Sequence, residues 1–228
     1  MTNKLLLLHG ALGSHSDFSE LESILAHSFE IYKFNFSGHS GNELNSEFSI
    51  DTFVNDAKEF IEHHDVAPVS IFGYSMGGYV ALKLAAKYPN LVNKIITLGT
   101  KFNWSKESTD EQVKLLDHNL IEQKVPKFAQ ALKEKHGFEN WKTVLRKTAD
   151  MMLSLGNGSA MTKEEFSQIN HEVFICLGSD DNMVTKEESV EVTSYLKNGK
   201  LKIIEGFKHP IETINKTKLA EIIIENLQ

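Results

Sequence analysis

"IFGYSMGGYV", Ile71 to Val80, sets a serine between glycines, directly after an apolar run and directly before a helical pattern. Gly73-Tyr74-Ser75-Met76-Gly77 fits G-x-S-x-G in the context that gives the pattern meaning, a strand before it and a helix after it. A strand that turns at once into a helix holds the serine in a strained conformation with its hydroxyl exposed. Side chains at the flanking glycines would collide with neighbouring backbone. Met76 would then offer a backbone N–H at a helix start, where donors are unpaired and the dipole favours negative charge. Alone, the motif is a moderate signal, because glycine and serine are common in turns. Its weight depends on what surrounds it.

Outward from the serine, strand-like runs alternate with helical ones. The runs are "KLLLLHG" (4–10), "EIYKFNF" (30–36), "VSIFGYS" (69–75), "KIITLGT" (94–100), "EVFICLG" (172–178) and "KLKIIEG" (200–206). Helical patterns lie near 17–27, 51–64, 77–88, 185–197 and 211–226. Such alternation marks a parallel sheet covered by helices, and consecutive apolar residues suit strands buried on both faces. The expected fold is α/β, with three α/β/α layers around a mostly parallel sheet of about six strands.

The alternation breaks once, between Thr100 and Glu172, where about 70 residues show helical periodicity and no strand. A structureless loop of that size would be anomalous, so it reads as a helical insertion after the fourth strand. The expected division is a core of 1–100 and 171–228 and an inserted unit of 101–170. Within the insertion, Ser108 with Glu111 reads as a capping box, Pro126 as a first helical position, and Gly137 and Gly156 as C-caps. Trp141, Val144, Leu145, Met151, Met152 and Leu155 share one helical face, which should pack on something beneath it.

Composition narrows the function classes. A chain of 228 residues with 41% hydrophobic and 24% charged residues has ordinary globular make-up, and its apolar runs fall far short of the roughly 20 residues that span a bilayer. A net charge of -7 disfavours nucleic acid as a partner. The start "MTNKLLLLHG" lacks the apolar stretch of about 7 to 15 residues and the cleavage site of a secretory signal. Cys176, the single cysteine, reads as a small buried hydrophobe. Cytoplasmic residence is therefore expected, with a small-molecule substrate, no membrane partner and no specified oligomeric state. No cofactor or metal is expected, since there is no metal-ligand cluster and the glycines near Ser75 do not follow G-x-G-x-x-G. Arg146, the only arginine, sits among Lys142 and Lys147 on what reads as a solvated helix face.

A serine hydroxyl is a weak nucleophile until a base takes its proton, and the base must itself be held by a third group. Of ten histidines, His15, His27, His63, His64, His118 and His136 read as surface residues, and His9 as structural. His209, in "EGFKHPIE", falls just past the C-terminal end of the last strand, the edge where sites of open parallel sheets gather. "CLGSDDNMV" closes the preceding strand with two candidate acids, Asp180 and Asp181. The strands ending at Phe36 and Thr100 supply no carboxylate nearby. In "LLHGALGS", Gly10 and Gly13 permit a close backbone approach that leaves the Ala11 N–H free to point inward.

Together these stretches resemble the α/β-hydrolase family, in its lidded serine-hydrolase, esterase-like branch, over nearly the whole chain. "HGALGS" resembles the family's H-G-x-x-G oxyanion turn, "GYSMGG" its nucleophile elbow, "GSDDNMV" its G-x-x-D-x-x-V acid loop and "GFKHP" its G-x-x-H loop. The spacing from Gly178 in the acid pattern selects Asp181 over Asp180. "NFSGHSGN" resembles the family's D-x-x-G-H-G-x-S loop, with Asn35, Ser40 and Asn42 in place of the expected residues. The chain starts at the strand the family counts as its third, which implies six parallel strands without an antiparallel edge. Serine at the elbow speaks against the haloalkane-dehalogenase and epoxide-hydrolase branches, which use aspartate there.

The resemblance implies acyl-transfer hydrolysis of an ester or thioester with a small to medium apolar acyl group. Ser75 would attack, His209 relay the proton, Asp181 hold the imidazole, and the Ala11 and Met76 amides bind the oxyanion. The insertion would act as a lid, with Phe102, Trp104, Trp141, Met151 and Met152 suggesting apolar walls, most of them lid core rather than substrate contacts. Two rival readings keep the same three residues. One is carbon–carbon bond cleavage or a lyase step, in which Arg146 alone could hold a substrate carboxylate as an arginine does. The other is a ligand-sensing protein that binds a partner.

Overall fold

Four consecutive leucines form the C-terminal part of β1 (Asn3–Leu8), and all four are fully buried. The pleat sends Leu6 and Leu8 into one core and Leu5 and Leu7 into the other, so the strand is apolar without alternation because both of its faces are covered. The computed structural model describes residues 3–44 and 47–228. The remaining strands are β2 (Phe29–Lys33), β3 (Val69–Tyr74), β4 (Val92–Leu98), β5 (Glu172–Gly178) and β6 (Asn198–Ile204). All neighbouring pairs are parallel, in the order β2-β1-β3-β4-β5-β6. The order reverses direction after β1, and C-terminal strand ends meet at the reversal, where ligand sites of open sheets form.

The helices are α1 (Ser19–Leu25), α2 (Ile50–His63), α3 (Met76–Lys87), α4 (Lys106–Lys114), α5 (His118–Lys124), α6 (Pro126–His136), α7 (Trp141–Ser154), α8 (Lys163–Ser167), α9 (Lys186–Tyr195) and α10 (Lys216–Leu227). Phe53 and Ala57 of α2, Val80 of α3 and Val192 of α9 cover one sheet face, while Leu21 of α1 and Leu219 and Ile223 of α10 cover the other. The result is the three-layer arrangement expected. Cys176 is buried in the second core, where desolvation pushes its thiol up to about 12. No helix among the described residues is long and apolar enough to cross a membrane.

Helices α4 to α8 fall between β4 and β5. Ile121, Ala129, Leu132, Trp141 and Leu145 make a small core of their own, whereas Val144, Met151 and Leu155 of α7 pack into the main core beneath. The apolar face of α7 is thus shared between the two, and Met152 at its margin is half-buried.

Local details depart from expectation for identifiable reasons. Ser105, not Ser108, caps α4: its Oγ accepts from the Ser108 N–H, and Ser108 turns its own hydroxyl to the Asn103 carbonyl. Pro126 does open α6 and Gly137 does follow it. Gly156 is no C-cap; α7 runs into a wide π-type turn at Leu155–Ser159, and Gly156 is small because Thr109 packs against it. β2 stops at Lys33, short of Phe36, because the Phe36 N–H leaves the sheet to donate to His9 Nε2. The C-terminal pattern divides into a 3₁₀ turn at Ile211–Thr213 and α10, whose start the Asn215 side chain caps.

Candidate active site

β3 delivers Ser75 and α3 begins at the next residue, so the serine takes a turn with φ +51° and ψ -117°, a conformation that side chains rarely adopt. It is held there from both sides. The Ser75 N–H donates to the Leu98 carbonyl at 2.8 Å, and its carbonyl accepts from Thr100 Oγ1 at 2.9 Å and from the Gly78 N–H at 3.0 Å. A Cβ on Gly77 would lie 2.2 Å from the Leu8 carbonyl oxygen, and one on Gly73 would lie 2.5 Å from the Gly77 oxygen. The steric reading of the motif is therefore met at both glycines.

His209 is buried, and its Nε2 lies 3.4 Å from Ser75 Oγ while its Nδ1 lies 2.8 Å from Asp181 Oδ2. An ionised carboxylate only accepts, so Nδ1 carries the hydrogen and the Nε2 lone pair faces the serine. The Ser75 contact is long for a hydrogen bond, as is common before a substrate is bound. Asp181 Oδ1 accepts from the Met183 and Val184 amides at 2.8 and 3.0 Å. Burial works against ionisation of Asp181, but the His209 ring N–H and these amides outweigh it and hold the carboxyl below its usual range. Asp180 is exposed and accepts from Ser179 Oγ, away from the imidazole. A Cβ on Gly178 would lie 2.1 Å from the Phe207 oxygen, so this glycine lets the acid loop lie against the histidine loop. Tyr74 Oη also braces the latter, donating to the His209 carbonyl at 2.9 Å.

Across from this chain, Ala11 and Met76 line the same cavity as Ser75 and His209. Met76 is the first residue of α3, so its N–H has no intrahelical acceptor, and the Ala11 N–H has no acceptor among the described residues. The turn begins where β1 ends: His9 is fully buried, donates through Nδ1 to the Gly10 carbonyl at 2.8 Å and accepts at Nε2 from the Phe36 N–H. Desolvation keeps it neutral, with a pKa near 3, so it is structural as expected.

The cavity holds about 50 Å³ of free space. Trp104, Met151 and Met152 are on its wall, three of the five residues of which most were expected in the lid core, and Ile50, Tyr79 and Leu155 join them. Phe102 and Trp141 are not. Phe102 packs against Phe166, and Trp141 is enclosed in the small α5–α7 core. Lys101, Gln112, Met183 and Val184 line both this cavity and an open groove of about 690 Å³ between α4 and the acid loop.

His136 departs furthest from expectation. It is buried rather than on the surface, accepting at Nδ1 from the Ser40 N–H and donating from Nε2 to the Leu12 carbonyl. The three residues before it are charged and carry no sign of that environment. His27, His63 and His64 are exposed, and His15 and His118 half-buried. The altered loop after β2 is locally satisfied: Asn35 Oδ1 accepts from the His15 N–H, Asn42 Nδ2 donates to the Asn35 carbonyl, and Ser40 takes φ +50°. Arg146 is 65% exposed and pairs with Asp150 at 3.2 Å, outside the cavity wall.

Over 99% of its length the chain is 26% identical to ethanol acetyltransferase 1 of the yeast Cyberlindnera jadinii, covering 72% of that protein. It is 21% identical over 95% of its length to (E)-2-((N-methylformamido)methylene)succinate hydrolase of Acinetobacter baylyi, covering 87% of it. Among solved structures it is similar to one described as a putative lipase from Acinetobacter baumannii, with a TM-score of 0.82, 20% identity, and coverage of 100% of this chain and 86% of that one. A family model for the alpha/beta hydrolase fold matches residues 3–119, the half that carries the 9–14 turn and the Ser75 turn. The chain belongs to the alpha/beta hydrolase fold family.

Proposed function

We propose that this protein is a serine hydrolase that cleaves an ester or thioester of a small acyl group, with Ser75 as nucleophile, His209 as general base and acid, and Asp181 as the group that orients His209. The observation that carries this reading is the linear run from Ser75 Oγ through His209 to Asp181, at 3.4 and 2.8 Å. Attack on the carbonyl transfers the hydroxyl proton to Nε2, and the resulting imidazolium faces an ionised Asp181. The oxyanion falls to the Ala11 and Met76 amides, each worth about 3 kcal/mol in the transition state. The imidazolium returns its proton to the departing alcohol or thiol, and water, activated by the same imidazole, releases the acid.

The acyl group is small because the cavity is. About 50 Å³ admits roughly four water-sized atoms, the size of an acetyl to butyryl chain. The segment 101–170 serves as a lid over the core of 1–100 and 171–228, supplying Trp104, Met151, Met152 and Leu155 to the acyl wall. The test is turnover of 4-nitrophenyl esters from acetate to octanoate beside Ser75→Ala. Hydrolysis that is fastest for short chains and lost in the variant supports the reading; hydrolysis that survives Ser75→Ala overturns it.

The similarity over 99% of the chain to a protein named for acetyl transfer to ethanol favours a second reading. An alcohol, rather than water, would then resolve the acyl-enzyme. Product partitioning in graded ethanol separates the two, because a transferase yields ethyl ester at the expense of free acid. Carbon–carbon cleavage that holds a carboxylate through Arg146 gains no such support, since that side chain is turned to solvent.

A further inference from the structure

The turn that carries Ala11 leaves the sheet at Leu8, and besides its bonds to the loop after β2 it is held by the helical insertion. Leu12 adopts φ +59°, a left-handed conformation costly for a residue with a branched side chain. Its carbonyl accepts from His136 Nε2 at 3.0 Å, across 124 positions of sequence. His136 Nδ1 accepts from the Ser40 N–H at 3.1 Å, so the imidazole joins the turn after β1 to the loop after β2. Both bonds hold together only in the neutral Nε2–H form, and His136 is just 3% exposed. The adjacent Lys135 bonds Asp17 Oδ1 at 2.6 Å, and Asp17 Oδ2 takes the Ser14 N–H at 2.8 Å. The last turn of α6 thus grips the 9–17 segment at two points on either side of Gly13.

We propose that His136 is a positioning residue for the oxyanion hole: by holding the Leu12 carbonyl it fixes the left-handed turn and with it the direction of the Ala11 N–H. This rests on the serine-hydrolase reading above. If the bond to Leu12 is lost, the strained φ is free to relax. The Gly13 N–H on the Gly10 carbonyl fixes both ends of the turn and Asp17 holds Ser14, so relaxation at Leu12 is taken up by the peptide units between Gly10 and Gly13, which include Ala11. A donor aimed at a transition state tolerates little displacement. Helix α6 is then part of the catalytic apparatus as well as part of a cover, and a lid that undocks also dismantles the hole.

Two substitutions separate this role from simple packing. His136→Gln places an amide nitrogen where Nε2 was and keeps a donor for Leu12; His136→Asn places an oxygen where Nδ1 was and keeps only the acceptor for Ser40. Both lose one buried hydrogen bond, so both should lower the thermal midpoint alike. With 4-nitrophenyl acetate, His136→Gln is expected to stay within about threefold of wild-type kcat, and His136→Asn to fall about tenfold or more with KM little changed. Equal loss in the two variants, or no loss in either, overturns the proposal. Should one fail to fold, the other is read against wild type: His136→Gln within about threefold of wild-type kcat, or His136→Asn reduced about tenfold at little-changed KM, supports the proposal, and the opposite result contradicts it. Ser75→Ala runs alongside; if it retains activity, the serine-hydrolase reading fails and takes the positioning role with it, whereas loss of activity there beside equal His136 variants overturns the positioning role alone.

Discussion

The Ser75 N–H donates to the Leu98 carbonyl at 2.8 Å, so the strained residue at the end of β3 is fastened to the end of its neighbour β4. That bond, with Thr100 Oγ1 on the Ser75 carbonyl, holds a backbone conformation that the serine alone would abandon. The same closeness leaves Gly77 no room, since an added Cβ would meet the Leu8 oxygen at 2.2 Å. Gly77→Ala should therefore cost about 1–3 kcal/mol of stability or more, because the obstacle is backbone and cannot swing away. Thermal unfolding checks this, and a midpoint within 1 °C or so of wild type would contradict it.

The two aspartates of the acid loop differ in what they touch. Asp181 bonds the imidazole at 2.8 Å, while Asp180 is exposed on Ser179. Asp181→Asn should lower kcat by roughly 10³ to 10⁴, because an amide can present a donor to Nδ1 and stabilise the wrong tautomer. Asp180→Asn should leave kcat within about twofold, as expected of a substitution away from the site. Steady-state kinetics on a short-chain ester decides between them.

Acid should destabilise the fold through its buried imidazoles. Desolvation lowers the pKa of His9 to about 3 and lowers those of His39 and His136 as well. On acidification the unfolded chain takes up these protons near its ordinary value of about 6.5 while the folded chain does not. The stability they contribute is full above that pH and falls by about 1.4 kcal/mol per unit for each histidine as pH drops toward the folded value. Asp181, whose pKa is lowered, acts in a separate window below the usual carboxylate range. Urea midpoints between pH 7 and pH 5 should decline. His39→Phe should flatten the slope by about one histidine's share, since His39 stacks on Phe48 and its Nε2 has no partner among the described residues.

Chain-length preference should be set by the part of the cavity wall that α7 supplies. Met152 lines it yet is only half-buried, so it can be shortened with less damage than its fully enclosed neighbour Met151. Met152→Ala should move the best 4-nitrophenyl ester toward longer acyl groups, by about two carbons for the few methylene volumes removed. An unchanged profile would show that the acyl group lies elsewhere.

What the sequence disclosed and what it hid follow from the range of the forces involved. The convergence of Ser75, Asp181 and His209 is legible because Ser75 follows β3 at once and the other two lie within five residues of the ends of β5 and β6, and parallel strands bring their C-terminal ends to one edge whatever lies between. The glycines at 73 and 77 are legible because they answer to close backbone contact, which only glycine relieves; Gly178 answers to the same kind of contact, with the Phe207 oxygen, but it is legible only through its spacing to Asp181. His136 was not: its burial comes from Leu12 and Ser40, 124 and 96 positions away, and nothing in "KEKHGF" marks it. Trp141 and Phe102 read as wall residues because aromatic content shows apolar character without direction, and their packing partners Ile121 and Leu132, for the first, and Phe166, for the second, come from tertiary folding. The cap of α4 was misplaced by three residues, since Ser105 and Ser108 are equivalent in pattern and differ only in which one the backbone bends toward.

The proposed hydrolysis rests on activation of the Ser75 hydroxyl by His209. Its most direct test is the intact mass of the protein after brief exposure to a fluorophosphonate, followed by peptide mapping. The expected result is one adduct on Ser75, absent in Ser75→Ala and formed at least about 100-fold more slowly in His209→Ala, because the uncatalysed hydroxyl is a poor nucleophile. A wild-type protein that stays unlabelled, or labels equally fast without His209, would contradict the account.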